Sequence, residues 1–300
     1  CGLYCGAEVD FVDIDPQTYN MSVDALEEKL LQAAKNGKLP KVVIPVHFAG
    51  QSCRMDEIRK LADQYNFTVI EDAAHAIGGS YQGKKVGACQ FSEMAVFSFH
   101  PVKIITTGEG GMILTNRTEL YEKLLRLRTH GITRDDRFMA KPADGIWHYQ
   151  QIELGYNYRM TDIQAALGYS QLKRIDEFVR RRHYLAGRYD QKLKDLPVTL
   201  PWQDPETYSA YHLYVIRLHL DQLRKSRKQI FEELRAAGIN VNVHYFPVHT
   251  QPYYERLGFK NGDFPVAEQY YQRAITIPLY YGLSDEDQDY VVEQLRKVIN

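Results

Sequence analysis

KVVIPVHFAGQSCRMDEIRKLADQYNFTVIED, residues 41–72, decides how the first half of the chain folds. It opens on a continuous β-branched run (41–46), the pattern of a strand buried on both faces. A helical pattern follows over 55–65. FTVI (67–70) is a second buried strand, and Glu71 and Asp72 close it. Strand, helix, strand at this spacing predicts parallel pairing. Upstream, residues 9–12 form a short apolar run that predicts a strand. Ser22 caps a helix to about residue 34, with Ala25, Leu26, Leu30 and Leu31 on one face. Downstream, 94–98 and 112–115 are further strand candidates. The fold class is therefore α/β, a mostly parallel sheet with helices on both sides. Such sheets hold ligands beyond the carboxyl ends of their strands. Asp72 and Ser98 fall at such ends.

A chain of 300 residues suggests two domains of about 150. LPVTLPWQDPETYSA (196–210), rich in proline and polar residues, marks the boundary between a large domain, 1–195, and a small α+β domain, 196–300. A helix begins at 161–172, capped by Thr161 or Asp162. Ile163, Ala166, Leu167 and Leu172 form its expected apolar stripe, and the mixed charges beyond it read as a solvated face. The small domain is expected to hold strands at 211–218 and 240–245, a helix at 226–237 and a last helix from 284.

Lys plus Arg (37) nearly equals Asp plus Glu (38), which argues against a nucleic-acid binder. No apolar run is long enough to span a bilayer. Cys1, Cys5, Cys53 and Cys89 lack metal spacing and the density of a disulfide scaffold, so free thiols in a cytoplasmic protein are expected. His244 and His249 flank FPV without a third ligand at zinc spacing. The chain opens without Met, in what reads as the middle of a domain, and an N-terminal truncation is expected.

Chemistry concentrates in three stretches. In AVFSFHPVKIITTGEGG (95–111) a strand delivers Ser98, then His100, then a single Lys103 among apolar and small residues. A lysine in a poorly solvated pocket has a lowered proton affinity, which suits Schiff-base chemistry. VIEDAAHAIGG (69–79) sets Asp72 at a strand end. Such a carboxylate could face the protonated ring nitrogen of pyridoxal phosphate (PLP). By spacing alone it reads equally as a cap for a following helix. In ELGYNYRMTDIQAALGYSQL (153–172), Asn157, Tyr158 and Arg159 precede a helix N-terminus, a placement suited to anions. His47, after a buried strand, reads as a satisfied histidine under a loop, and His100 as structural.

EDAAHAIG (71–78), SFHPVKIITTGEGG (98–111) and GYNYRMTDIQAALGYSQL (155–172), in this order, resemble the DegT-type nucleotide-sugar aminotransferases of PLP fold type I. The resemblance covers nearly the whole chain. GITRDDRF (131–138), ELGYNYRM (153–160), VHYFPVHTQPYY (243–254) and IPLYYGLSDEDQDYVV (277–292) look more narrowly like the branch serving pseudaminic acid synthesis. The resemblance implies the cofactor pyridoxal 5'-phosphate, L-glutamate as amino donor and a UDP-4-keto sugar as acceptor. It implies that Lys103 binds the cofactor aldehyde and later moves a proton. Asp72 would pair with the ring nitrogen, His75 lie near the ring or its 3-hydroxyl, and Ser98 bind the phosphate. Asn157 would reach the cofactor phosphate of a neighbouring subunit, making a homodimer with shared active sites. Arg159, Asn242, Val243, His244 and Tyr245 would contact substrate, and Tyr281 would line the same mouth. Family members carry a further N-terminal portion with a phosphate-cradling turn. Two other classes stand as rivals. A nicotinamide-dependent dehydrogenase lacks its G-x-G-x-x-G signature here. The other is a silent scaffold or truncated chain.

Overall fold

A computed structural model describes residues 1–299 of the protein. In chain order its elements are α1 (Val23–Lys35), β1 (Val42–Val43), α2 (Met55–Tyr65), β2 (Thr68–Asp72), β3 (Ser80–Tyr81), β4 (Lys84–Lys85), β5 (Met94–Ser98) and β6 (Gly111–Leu114). Then come α3 (Thr118–Leu127), β7 (Ile132–Thr133), β8 (Gln150–Gln151), α4 (Asp162–Leu172), α5 (Ile175–Leu193), β9 (Val198–Thr199), β10 (Thr207–Tyr208) and β11 (Tyr214–Leu218). The chain continues through α6 (Arg227–Ala236), α7 (Pro252–Glu255), α8 (Pro265–Arg273), β12 (Ala274–Ile277) and α9 (Asp285–Ile299).

The main sheet has the order β1-β2-β5-β6. β1, β2 and β5 run parallel, and β6 is antiparallel to β5. Side chains alternate across a strand, so Val43, Val69, Ala95 and Phe97 share the buried face. There Val43 and Val69 meet Leu26 and Leu30 of α1 and Met55, Ile58 and Leu61 of α2 in one cluster. Leu31, expected on the same face of α1, is instead exposed. The expectation of a first strand buried on both faces also fails. Val42, Ile44 and Val46 are all more than two-fifths exposed, because α1 and α2 cover only the other side. Pro45 has no N–H to give, so after Val43 only a single bridge, Val46 to Asp72, continues the pairing.

The strand expected at 9–12 is also absent. Asp10 and Asp13 accept hydrogen bonds from the backbone N–H groups of Phe11 (2.8 Å) and Ile14 (2.9 Å), which competes with a ladder. The Phe11 ring packs edge-on against Tyr254 and Phe259.

α4 and α5 are two helices, broken at Lys173 and Arg174. Thr161 caps α4 through a capping box with Gln164. The stripe expected to be core, Ile163, Ala166, Leu167 and Leu172, is exposed, with Ile163 at 84%. The contacting face is a different one. Gln164 donates to the Glu109 carbonyl (3.0 Å), and Gln171 donates to the Thr106 carbonyl (2.7 Å) and accepts from its N–H (3.2 Å). Between them lies Gly168, the one buried residue of α4, where a Cβ would stand 2.7 Å from Thr107 Cγ2. Backbone hydrogen bonding of the 106–110 loop thus outweighs apolar periodicity in orienting this helix.

The largest core joins α5 (Leu185, Tyr189, Leu193) to β11, β12, α6 and α9. β11 pairs antiparallel with β12 and β9. The strand expected at 211–218 begins at Tyr214, because Tyr211 adopts a positive φ of 47°. That expected at 240–245 is reduced to one bridge from Asn242 to Thr276. The Asn242 side chain takes the Val243 N–H (2.8 Å), which removes the next rung. Among the described residues, no helix is long and apolar enough to cross a membrane.

Candidate active site

The carboxyl ends of β2 and β5 lie side by side, as the parallel pairing of Asp72 with Val96 requires. Asp72 is the last residue of β2, and its backbone is clamped. Its N–H donates to the Pro45 carbonyl (2.9 Å), and its carbonyl accepts from the His47 N–H (3.0 Å). Its carboxylate accepts only the Ala74 N–H, at 3.1 Å. That bond closes a turn. No helix follows, so the capping alternative does not hold. Asp72 stays half-buried, with capacity for a further partner.

Ser98 ends β5, and its Oγ accepts a long bond from the His100 N–H (3.4 Å). The chain then turns, with the Lys103 N–H donating to the His100 carbonyl (2.9 Å). Ile104 and Ile105 are buried on the far side of the turn, which anchors it. Lys103 is half-buried. Burial lowers its proton affinity and the Asp72 carboxylate opposes that, with burial dominant. A lysine so placed holds more of its amine in the nucleophilic, neutral form.

His75 is buried three residues beyond Asp72. Its Nδ1 accepts from the Ala49 N–H (3.3 Å), and its Nε2 lies 3.4 Å from the Tyr245 hydroxyl. Burial first, then the charges of Lys103 and His244, pull its pKa down to about 3. The unfolded chain, with an ordinary value near 6.5, therefore binds a proton that the folded chain refuses. Stability from this group is present above pH ~6.5 and declines as pH falls toward 3. Unfolding in urea should show a loss of about 2 kcal/mol from His75 between pH 7.5 and 5. His75→Gln should flatten that part of the profile, and an unchanged profile would contradict it.

His244 and Tyr245 reach this region from the segment after α6. His244 Nδ1 is 2.8 Å from Thr276 Oγ1, and burial, then Lys103, lowers its pKa. Asn242 lies 3.4 Å from His244 Nε2 and is exposed, and Val243 adjoins it. Lys103, Asp72, His75, His244 and Tyr245 thus form one electrostatically linked group. Asn157 and Arg159 do not join it within the chain. They lie in an exposed stretch whose backbone bridges Thr129. Tyr281 is tied to α5, against Phe178 (4.6 Å) and hydrogen-bonded to Arg174 and Glu177.

His47 is buried with both ring nitrogens partnered, by Glu71 (2.7 Å) and the Cys53 N–H (3.1 Å). It is the satisfied histidine expected. His100 lies on the exposed turn, 3.8 Å from Glu109. All four cysteines are free. Sequence reasoning missed His212, whose ring centroid is 4.3 Å from that of His75. The only signal was an ionisable residue at the head of an apolar run.

An electrophilic aldehyde cofactor fits these side chains. Among the described residues Lys103 has no ion-pair partner, Asp72 and Ser98 have unused hydrogen-bonding capacity and end adjacent strands, and Lys103 follows in the turn after Ser98. A mixed sheet with helices, a lysine after the penultimate strand and a carboxylate at its neighbour's end define a PLP-dependent aminotransferase of fold type I. The chain belongs to the DegT/DnrJ/EryC1/StrS aminotransferase family, whose model matches residues 1–296. Its cofactor is pyridoxal 5'-phosphate, and it acts on nucleotide sugars. It is 38% identical over 298 residues to GDP-perosamine synthase of Caulobacter vibrioides, covering 99% of this chain and 74% of that one. It is 36% identical over 301 residues to UDP-4-amino-4,6-dideoxy-N-acetyl-beta-L-altrosamine transaminase of Campylobacter jejuni, covering 99% and 75%. Among solved structures, Helicobacter pylori PseC, an aminotransferase of pseudaminic acid biosynthesis, superposes with a TM-score of 0.88 at 32% identity, covering 99% and 75%.

Proposed function

We propose that the protein transfers the amino group of L-glutamate to C4 of a UDP-4-keto-6-deoxy-N-acetylhexosamine. The product is UDP-4-amino-4,6-dideoxy-N-acetyl-β-L-altrosamine, for pseudaminic acid synthesis, and the work is done in the cytoplasm. The observation that carries the aminotransfer is the meeting of Lys103, Asp72 and His75 beyond two parallel strands. The particular sugar is supported by the Campylobacter relative and by the Helicobacter structure.

PLP, when bound, supplies an electron sink that stabilises charge on the carbon bearing the amino group. Lys103 would hold the cofactor and supply the amine that takes and returns the proton at the carbon bearing the amino group. Asp72 would face the ring nitrogen of the bound cofactor, and His75 would border the ring. The Ser98 hydroxyl would hydrogen-bond the cofactor phosphate. His244, Tyr245, Asn242 and Val243 face the nucleotide sugar, and Arg159 supports an anionic group. Asn157 of one copy completes the phosphate site of another. That homodimer reading is supported by the apolar side chains that α4 and the preceding stretch leave exposed, Ile163, Leu154, Tyr156 and Tyr158. An apolar surface of this kind marks an association face.

The reading is tested with the UDP- and GDP-linked 4-keto-6-deoxy sugars, L-glutamate and PLP, with product stereochemistry at C4 read by NMR. The UDP sugar should be preferred at least about tenfold in kcat/KM. The reverse preference would make the chain a perosamine-type enzyme, the alternative favoured by its 38% identity to the Caulobacter protein.

A further inference from the structure

His212 has no part in the roles above, yet the structure builds a dedicated mount for it. It is 7% exposed, and its Nδ1 is buried without a hydrogen-bond partner. Orphaned buried nitrogens are costly and uncommon. The backbone that presents it is held from two sides. Arg182, buried on α5 with no carboxylate partner among the described residues, donates from Nη1 to the carbonyls of Tyr211 (2.9 Å), His212 (3.3 Å) and Leu279 (2.9 Å). Gly50 approaches from the other side with a φ of 105°, and a Cβ there would lie 2.7 Å from Tyr211 N and 2.9 Å from His212 N. The Ala210 N–H donates to the Gly50 carbonyl (2.9 Å) and the Leu213 N–H to the Ala49 carbonyl (3.3 Å). The same short loop sends the Ala49 N–H to His75 Nδ1. One loop therefore sets both imidazoles, and their rings meet tilted by 42°.

We infer that His212 is a positioning residue of the candidate active site: it walls one face of His75 and so keeps the His75 Nε2–H directed toward the Tyr245 hydroxyl, 3.4 Å away. The inference rests on the aminotransferase reading for its purpose. With Nδ1 accepting a backbone N–H, the neutral His75 ring carries its proton on Nε2. The groups that act on the pair are Lys103 from the turn after β5, Arg182 from α5, and His244 and Tyr245 from the segment after α6. Neither ring is hydrogen-bonded to a carboxylate among the described residues. Burial and then the neighbouring His75, Lys103, Arg182 and His244 all disfavour a charged His212. A neutral wall excludes water from His75 without adding a charge beside Lys103.

The test is nitrogen-15 NMR of histidine-labelled full-length protein, without and with PLP, followed across pH. In the parent protein His75 should show the Nε2–H tautomer, should not titrate above pH ~5, and should shift on PLP addition. In His212→Ala, the pH midpoint of His75 should rise by about one unit or more as water reaches the ring. His212→Phe restores a flat wall and should return the midpoint toward the parent value. If His212→Ala does not fold, His212→Asn is read in its place. A His75 titration identical to the parent's in the folded variant would overturn the inference, as would failure of the Phe variant to restore it. A His75 signal that ignores PLP while still responding to residue 212 would count against the cofactor reading alone.

Discussion

Lys103→Ala should abolish transamination, with kcat reduced by at least about 10⁴-fold, the scale of losing a covalent anchor and a proton carrier together. The absorbance of the lysine-bound cofactor should vanish, and borohydride should no longer fix PLP to the chain. Stability should barely move. Among the described residues the Lys103 ammonium has no salt bridge, and its turn is anchored by Ile104 and Ile105 rather than by its own side chain. An unchanged melting temperature beside lost activity separates this outcome from misfolding. A Lys103→Ala protein that still turned over at the parent rate would remove the foundation of the assignment.

Arg182→Met should cause a large loss of stability, about 3 kcal/mol, read as a lower denaturant midpoint at unchanged slope. The guanidinium is the donor for three carbonyls in a region water does not reach. Its removal leaves them short of partners, at about 1–3 kcal/mol each. Part of that loss is returned, because a buried cation is itself disfavoured: burial pulls the Arg182 pKa down to about 10. Arg182→Lys should fall between the two, since an ammonium is a point donor and not a planar fork. A loss below about 1 kcal/mol for the Met variant would mean that the carbonyls find other donors or water.

The strand ends that frame the candidate site were legible in the sequence because their pieces are local. Asp72, Ser98 and Lys103 sit at fixed offsets from apolar runs, and parallel strands bring their carboxyl ends to one edge. Ser22 and Thr161 cap their helices as hydroxyls before a helical pattern do, and each is seen accepting the N–H three residues on. What failed shares a cause. Ile163, Leu167 and Leu172 have helical spacing, but spacing does not say which face has something to meet, and the loop at 106–110 offered carbonyls for Gln164 and Gln171. Residues 9–12 and 240–245 are apolar enough for strands, but Asp10, Asp13 and Asn242 satisfy the backbone locally.

The succession of α1, β1, α2, β2, β5 and β6, with Asp72 and Ser98 at strand ends and Lys103 beyond them, was legible in the sequence alone, because apolar periodicity and strand-end position are properties of neighbours along the chain. The meeting of His75 with His212, Tyr245 and His244 was decided only in three dimensions. It joins positions more than 130 residues apart, His212 being held there by one glycine contact and one buried arginine, and no one-dimensional pattern encodes a close approach of that kind.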